Sequence, residues 1–169
     1  MEEIVNKVAN SPLITLNLEE YYDKTEFVDF DMKEHLFQGL ILREKDFRAF
    51  IKECDWTIYQ NRNVALFCTA DAIVPTWAYM LVANKLSGIA KNVFFGSQQE
   101  MQQSIMLGQL ANLKVEDYQD KMVVIKGCSN YDVPIGAYVA ITELLSPVVK
   151  SIMFGEPCST VPIYKKKRV

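Results

Sequence analysis

The chain has 169 residues, of which 50% are apolar and 23% are charged, and its formal net charge is −3. This balance is typical of one well-filled globular domain and excludes a largely disordered chain. The negative net charge argues against nucleic-acid binding, which needs a basic face, and no apolar run reaches the length of a membrane span. The acidic start Met1–Glu3 differs from the basic start of a signal peptide, so we expect a cytoplasmic protein.

The N-terminal part of the chain predicts a strand followed by a helix. Polar and apolar residues alternate over Glu26–Asp31, as in a half-exposed strand. Apolar side chains then recur at three- and four-residue spacing over residues 44–54, which predicts an amphipathic helix. Cys54 lies on the apolar face of that helix, and we interpret it as a small core residue.

From residue 63 onward the pattern alternates between strands and helices. Strands are predicted over residues 64–68, 92–96, 122–125 and 148–154. Helices are predicted over residues 72–86, after the capping box Ser97–Glu100, and between Pro134 and Pro147. This alternating order predicts parallel strands joined by right-handed crossovers.

The expected fold class is therefore α/β. We expect a single domain over residues 1–169, with a mostly parallel sheet and helices packed on it. It would contain three consecutive βα units and an N-terminal strand–helix region. The N-terminal strand and the tail after Cys158 are expected to add antiparallel edges. No internal repeat and no linker is apparent in the sequence.

Three of the four cysteines lie at or just past the end of a predicted strand. Cys68 ends the first strand of the alternating region, Cys128 follows the third strand, and Cys158 follows the fourth strand. In one parallel sheet all carboxyl ends lie on the same edge, where the ligand sites of open α/β sheets form. The three cysteines are therefore predicted to share this edge, and their mutual contact depends on the strand order.

Three interpretations of these cysteines stay open. In the first, the thiolates bind zinc or an iron–sulfur cluster, with Asp71 as a further ligand and Glu156 nearby. In the second, Cys68 or Cys158 is the nucleophile of a thiol-dependent sulfur or acyl transferase, with Asp71 as a base, because a helix N-terminus lowers a thiol pKa. In the third, the cysteines are structural and the protein is a non-catalytic interaction domain. Whether the chain is an enzyme is left open.

Other polar residues have a structural interpretation beside a functional one. Asp71 can cap the helix that follows it. The single histidine, His35, is expected at the surface, and the basic end Lys165–Arg168 is expected to be a solvated tail. The sequence contains no glycine-rich phosphate loop, nucleophile elbow or dinucleotide fingerprint. Hydrolase and nucleotide-binding functions are therefore disfavoured.

Several stretches of the chain resemble one family. They are residues 39–48, 68–80, 124–128 and 151–164, the last of which reads SIMFGEPCSTVPIY. Over nearly its whole length the chain is similar to a bacterial family, numbered 2480 among the domains of unknown function and typical of Bacteroidetes. The resemblance implies no known catalytic residue. Because genes of that family often lie near iron–sulfur assembly genes, it favours the thiol hypotheses.

The leading hypothesis is a thiolate metal or iron–sulfur site that contains Cys68, Cys128, Cys158 and Asp71. Its expected cofactor is zinc or an iron–sulfur cluster. The resemblance implies a protein partner in sulfur or iron–sulfur metabolism, and a homo-oligomer is a further expectation. Nucleic acid and membranes are not expected as partners.

Overall fold

A computed structural model describes residues 13–127, 129–156 and 159–167. Along the chain the strands and α-helices are β1 (Leu13–Asn17), β2 (Phe27–Asp31), α1 (Glu44–Glu53), β3 (Asn63–Phe67), α2 (Thr76–Leu86), β4 (Asn92–Phe95), α3 (Gln98–Leu110), β5 (Met122–Lys126), α4 (Ile135–Leu145), β6 (Ser151–Glu156) and β7 (Ser159–Lys165). Among the described residues, no helix is long and apolar enough to cross a membrane. The predicted α/β class, with mostly parallel strands, is confirmed.

The chain divides into two compact units. Unit 1 comprises residues 1–23 and 102–169, and unit 2 comprises residues 24–101. The strands are divided between the units, with the order β1-β5-β6-β7 in unit 1 and β2-β3-β4 in unit 2. The strands of the alternating region were expected in one sheet. That expectation is wrong, because each unit builds its own sheet and completes it with a strand from the N-terminal part of the chain.

Unit 1 contains three parallel strands and one antiparallel strand. The sequence predicted no strand at β1, yet β1 pairs in parallel with β5 from Leu13 opposite Met122 to Asn17 opposite Lys126. β7 runs antiparallel to β6, as predicted for the tail after Cys158. Gly155 near the end of β6 has a φ of +121°, and a Cβ there would lie 2.6 Å from the Ser159 carbonyl oxygen. A residue without a side chain therefore lets β7 return this closely along β6.

Unit 2 contains a parallel sheet with β3 at its centre. Four of the five residues of β3 are buried, which explains its continuous apolar sequence. β2 was predicted as an antiparallel edge, but it pairs in parallel with β3 from Phe27 opposite Asn63 to Asp31 opposite Phe67. The parallel direction is possible because the connection between β2 and β3 contains α1 and is long enough for a crossover.

The two units share one internal architecture. From the 3-10 turn Trp56–Tyr59 through α2, the elements of unit 2 recur in unit 1 with the same bounds 59 residues later. β4 and β6 also begin at this spacing. By contrast, β1 and β2, together with the 3-10 turns Leu18–Tyr21 and Met32–His35 that follow them, are only 14 residues apart.

Backbone details repeat at the same spacing. Asn61 and Asp120 both have a positive φ, 59° and 55°. Their N–H groups donate to the carbonyl oxygens of Ile89 and Val148 at 2.9 Å in both units. The residues identical at this spacing include Val64/Val123, Val74/Val133, Pro75/Pro134, Ala78/Ala137, Tyr79/Tyr138, Leu86/Leu145, Ser87/Ser146, Lys91/Lys150, Phe95/Phe154 and Gly96/Gly155.

The expectation of no internal repeat is therefore wrong. Unit 2 is inserted into the chain of unit 1, between Asp23 and Gln102. The edge strands consequently repeat with one spacing and the remaining elements with another. Because no single period aligns all the elements, a search for one fixed period along the chain does not find them.

Each unit has its own hydrophobic core, and the two cores use equivalent positions. In unit 1 the buried core residues are Leu16, Leu18, Met106, Leu110, Val123, Ile125, Val133, Ala137, Ile141, Leu145, Val149 and Ile152. In unit 2 they are Phe30, Met32, Phe47, Ile51, Trp56, Val64, Leu66, Ala78, Val82 and Leu86. The core of unit 1 is mainly aliphatic, whereas the core of unit 2 is rich in aromatic rings.

Prolines set the start of two helices. Pro75 and Pro134 occupy the N-cap positions of α2 and α4. The predicted helix start at Ala72 is wrong, because the residues before a proline are disfavoured in the helical conformation. The predicted capping box is confirmed: the Glu100 N–H donates to Ser97 Oγ at 3.2 Å, and the Ser97 N–H donates to Glu100 Oε2 at 2.8 Å.

The described part of the basic tail is attached to unit 1. Lys165 is the last residue of β7. The Lys166 N–H donates to the Lys150 carbonyl oxygen at 2.9 Å, and Lys166 Nζ lies 3.1 Å from a carboxylate oxygen of Asp120. The expectation of a solvated tail is therefore wrong for these two residues.

His35 lies in an aromatic cluster of unit 2 and not on the open surface, as was expected. Its ring centroid is 3.9 Å from that of Phe50 and 5.2 Å from that of Phe30. Burial lowers the pKa of His35 below its ordinary value of 6.5, although the charges of Glu34 and Asp31 oppose this shift. The imidazole is therefore held mainly as an uncharged packing group.

We predict that unit 2 loses stability as the pH falls through the range from about 7 to 5. The folded state binds a proton on His35 less readily than the unfolded state, so stability is present above the unfolded pKa and is lost below it. His35→Phe should remove this pH dependence, as measured by denaturant unfolding. Since His35 is the single histidine, NMR titration of its imidazole reports directly, and a pKa at or above 6.5 would contradict the prediction.

Candidate functional site

Cys68 lies in unit 2, one residue past the end of β3. Its thiol donates to the Ala70 carbonyl oxygen at 3.7 Å, and its side chain is half-buried against the aromatic core. α2 begins only at Thr76, so Cys68 does not directly precede a helix N-terminus as predicted. The packing agrees with the interpretation of Cys68 as a small structural residue.

The predicted sheet edge common to three cysteines is not present. β3, which precedes Cys68, belongs to the sheet of unit 2, whereas β5 and β6 belong to the sheet of unit 1. Cys128 and Cys158 lie outside the described residues. Within the part of the chain that the structure describes, no group of three or more His, Cys, Asp or Glu side chains could hold a metal ion.

The two predicted carboxylates have different surroundings. Asp71 is exposed in the loop between β3 and α2, and the N-cap of α2 is Pro75, so the predicted capping role of Asp71 is wrong. Glu156 ends β6, and its Oε2 lies 3.7 Å from Lys126 Nζ at the end of β5. This ion pair joins the carboxyl ends of two neighbouring strands in unit 1.

Glu19 holds the loop that follows β5. It lies in the 3-10 turn directly after β1, and it is only 7% exposed. Its Oε1 accepts hydrogen bonds from the N–H groups of Ser129, Asn130 and Tyr131 at 2.7, 2.6 and 3.3 Å. Its Oε2 accepts from the side-chain amide of Asn130 at 3.0 Å. One carboxylate therefore fixes three consecutive residues of the loop.

These hydrogen bonds keep Glu19 ionised. The backbone N–H of Asn130 makes the largest contribution, followed by its side-chain amide, and together they lower the pKa of Glu19 from 4.5 to about 2. Burial opposes this shift but is outweighed. The sequence analysis missed Glu19 because its partners lie more than 100 positions away in the chain.

The equivalent loop of unit 2 is held in a different way. The residue at the position of Glu19 is Lys33, which has no carboxylate. Here Asp31, the N-cap of the turn Met32–His35, accepts from the N–H of Thr69 at 3.0 Å and also from its hydroxyl. Both units thus use a carboxylate near the end of the edge strand to fix the next loop, but at different positions.

The loop held by Glu19 forms one wall of a cleft in unit 1 with a volume of about 670 Å³. The other walls come from α4, from β6 and β7, and from the end of β5. The described lining residues are Ile125, Ser129, Asn130, Tyr131, Asp132, Val133, Ile135, Tyr138, Thr142, Phe154 and Ile163. The surface of the cleft is mainly apolar and aromatic, with a few polar groups close to the loop.

β7 explains why this face of unit 1 is more enclosed than its equivalent in unit 2. Phe154 of β6 and Phe95 of β4 are equivalent, and each ring packs edge-on against the equivalent tyrosine, Tyr138 or Tyr79. Phe154 is 38% exposed and Phe95 is 68% exposed. In the described part of unit 2, β4 is the edge strand, whereas in unit 1 β7 lies beside β6 and supplies Ile163.

We predict that Glu19→Gln destabilises the protein at neutral pH more than Glu20→Gln does. Glu20 is the matched control, because it is the exposed neighbour in the same turn. The amide keeps one acceptor oxygen but loses the charge that the loop N–H groups bind. Denaturant unfolding at pH 7 should rank Glu19→Gln as the less stable variant.

The difference between these variants should shrink as the pH falls from about 4.5 to about 2. The folded pKa of Glu19 is depressed, so its stabilising effect is present above the unfolded pKa and is lost as the pH approaches the folded pKa. Equal stability of the two variants at pH 7, or a difference that does not change with pH, would contradict the role of Glu19.

A model of a protein family matches nearly the whole chain. The family is described as "Protein of unknown function (DUF2480)", and the match covers residues 2–166. Searches of curated proteins and of solved structures gave no match. The match includes all the strands and helices of both units, and the chain therefore belongs to the DUF2480 family.

Proposed function

We propose that unit 1 binds a small, largely apolar ligand in the cleft. The observation that carries this proposal is the cleft itself, since its volume of about 670 Å³ lies within the range of about 300–1,000 Å³ that is typical of small-molecule sites. Such sites combine apolar walls with a few polar groups that orient the ligand. Here the apolar walls come from α4, β6 and β7, and the polar groups come from the loop after β5.

The position of the cleft in the fold supports the same function. Ile125, which lines it, is the residue before the last of β5, so the cleft lies near the carboxyl end of a parallel strand. Ligands of open α/β sheets bind outside these ends. The loop at the cleft is also fixed by Glu19 before any ligand arrives, which reduces the entropy lost on binding.

The polar groups of the cleft support binding more than catalysis. The hydroxyl of Thr142 donates to the Tyr138 carbonyl oxygen at 2.7 Å, within α4. The side-chain amide of Asn130 is bonded to Glu19. Among the described lining residues there is no cysteine, histidine or lysine, so the side chains most used as nucleophiles or bases are missing from them.

We predict that the uncharged dye Nile red binds unit 1 with increased fluorescence, and that Ile163→Glu weakens its binding about tenfold or more. A carboxylate in the apolar wall would have to lose water when the dye binds. The matched control is Val139→Glu, because Val139 is 61% exposed on α4 and does not line the cleft. Absence of binding, or equal affinity of both variants and the wild type, would contradict the proposal.

A second candidate is a thiol site that uses Cys128 and Cys158. Both lie outside the described residues, but Cys128 follows β5 and Cys158 follows β6 in the sequence. These strands are hydrogen-bonded neighbours, and their ends are joined by the ion pair of Lys126 with Glu156. This arrangement favours a reactive pair or two ligands of a zinc or iron–sulfur centre at one sheet edge, without Cys68.

For the thiol candidate we predict different behaviour of three serine variants. Cys128→Ser and Cys158→Ser should each lose rapid labelling by iodoacetamide at pH 7, or lose bound zinc or iron after anaerobic purification. Cys68→Ser is the matched control and should behave as the wild type. Metal-free protein with uniformly slow labelling, or an equal loss in the Cys68→Ser variant, would exclude this candidate.

A further inference from the structure

The cleft in unit 1 has an unequal distribution of charge. Among its described lining residues the one charged side chain is Asp132, which is exposed in the loop before α4. No described lining residue is lysine, arginine or histidine. Lys126 lies nearby in the sequence, but its Nζ pairs with Glu156 at 3.7 Å. A ligand in this cleft therefore meets negative charge and little positive charge.

The loop after β5 cannot offer its N–H groups to an anionic ligand. In many α/β proteins the N–H groups of such a loop bind phosphate or carboxylate. Here the N–H groups of Ser129, Asn130 and Tyr131 donate to Glu19. The protein's own carboxylate thus occupies the place that an external anion would take, and an added anion would be repelled by Glu19 and Asp132.

Aromatic rings line the same cleft. Tyr131 stacks on Tyr22 with centroids 4.7 Å apart, and Tyr138 meets Phe154 edge-on with centroids 5.7 Å apart. Tyr131, Tyr138 and Phe154 all line the cleft. The faces of aromatic rings attract cations, and a ring beside a carboxylate is a frequent way to bind an ammonium group.

The equivalent surface of unit 2 lacks these features together. The residue equivalent to Asp132 is Ile73, which is 92% exposed. The residue equivalent to Thr142 is Ala83, and no strand is described beside β4 on the side where β7 lies in unit 1. The carboxylate therefore occurs in the unit that has the enclosed cleft.

We propose that the ligand of the cleft is an organic cation, an amine or ammonium compound with an apolar or aromatic body. The cationic group would lie near Asp132 at the mouth, and the apolar body would lie among Tyr138, Phe154 and Ile163. This inference rests on the proposed binding function, since it adds the charge of the ligand to a cleft already proposed to bind one.

Three probes with the same body and different charges test the inference. They are 4-phenylbutylamine, a cation at pH 7, 4-phenylbutanol, which is uncharged, and the anion 4-phenylbutyrate. Affinity is measured by competition with Nile red and by NMR titration. The amine should bind about three- to tenfold more tightly than the alcohol, and the anion should bind most weakly. The preference for the amine should decrease at high salt.

Two variants locate the effect. Asp132→Asn should lower the affinity for the amine about threefold and leave the affinity for the alcohol unchanged. Asp71→Asn is the matched control, because Asp71 is an exposed carboxylate in the equivalent loop of unit 2, and it should change neither affinity.

The outcomes separate the two proposals. If the alcohol binds as tightly as the amine, or if the anion binds best, the inference of a cationic ligand is overturned while the binding function stands. If Asp132→Asn leaves the preference for the amine unchanged, the proposed role of Asp132 is overturned. If no probe binds and Nile red does not bind, both proposals fall.

Discussion

The cleft of unit 1 depends on the carboxylate of Glu19. A buried ionised carboxylate is costly unless hydrogen bonds replace its water, and here three backbone N–H groups and one amide do so. The dependence is mutual, because the loop after β5 has no strand or helix partner for these N–H groups. Without the carboxylate the loop would lose its position, and the cleft would lose one wall.

A second constraint decides which edge strand joins which sheet. β1 and β2 follow one another closely, yet β1 pairs with β5 in unit 1 and β2 pairs with β3 in unit 2. Their inward residues match the cores they enter. Phe30 of β2 stacks against Trp56, with centroids 5.9 Å apart and planes 10° apart, in the aromatic core. Leu16 of β1 packs into the aliphatic core of unit 1. Close packing penalises the exchange of large and small side chains, so shape complementarity specifies the pairing.

The sequence was most informative where structure is local. The strands β3 to β6, the helix α1 and the capping box of Ser97 and Glu100 follow from periodicity and from short-range hydrogen bonds. β1 could not be recognised in this way, because its five residues have no distinctive context and its partner begins at Met122. The division into two sheets, the partners of Glu19 and the enclosure by β7 all depend on long-range pairing. The single-edge hypothesis for the cysteines failed for the same reason, since it assumed one sheet for strands that belong to two.

Comparison of the two units separates packing from function within one chain. Positions that fill the cores are apolar in both units, as at Leu86 and Leu145, because each sheet must bury the same helix face. Positions around the cleft differ instead: Glu19 and Asp132 of unit 1 stand where unit 2 has Lys33 and Ile73. Packing alone does not explain a carboxylate at a position where the other unit has an exposed isoleucine. The equivalent fold of unit 2 forms without that carboxylate and without a counterpart of β7 among its described strands, so these features of unit 1 are better explained by a ligand than by folding.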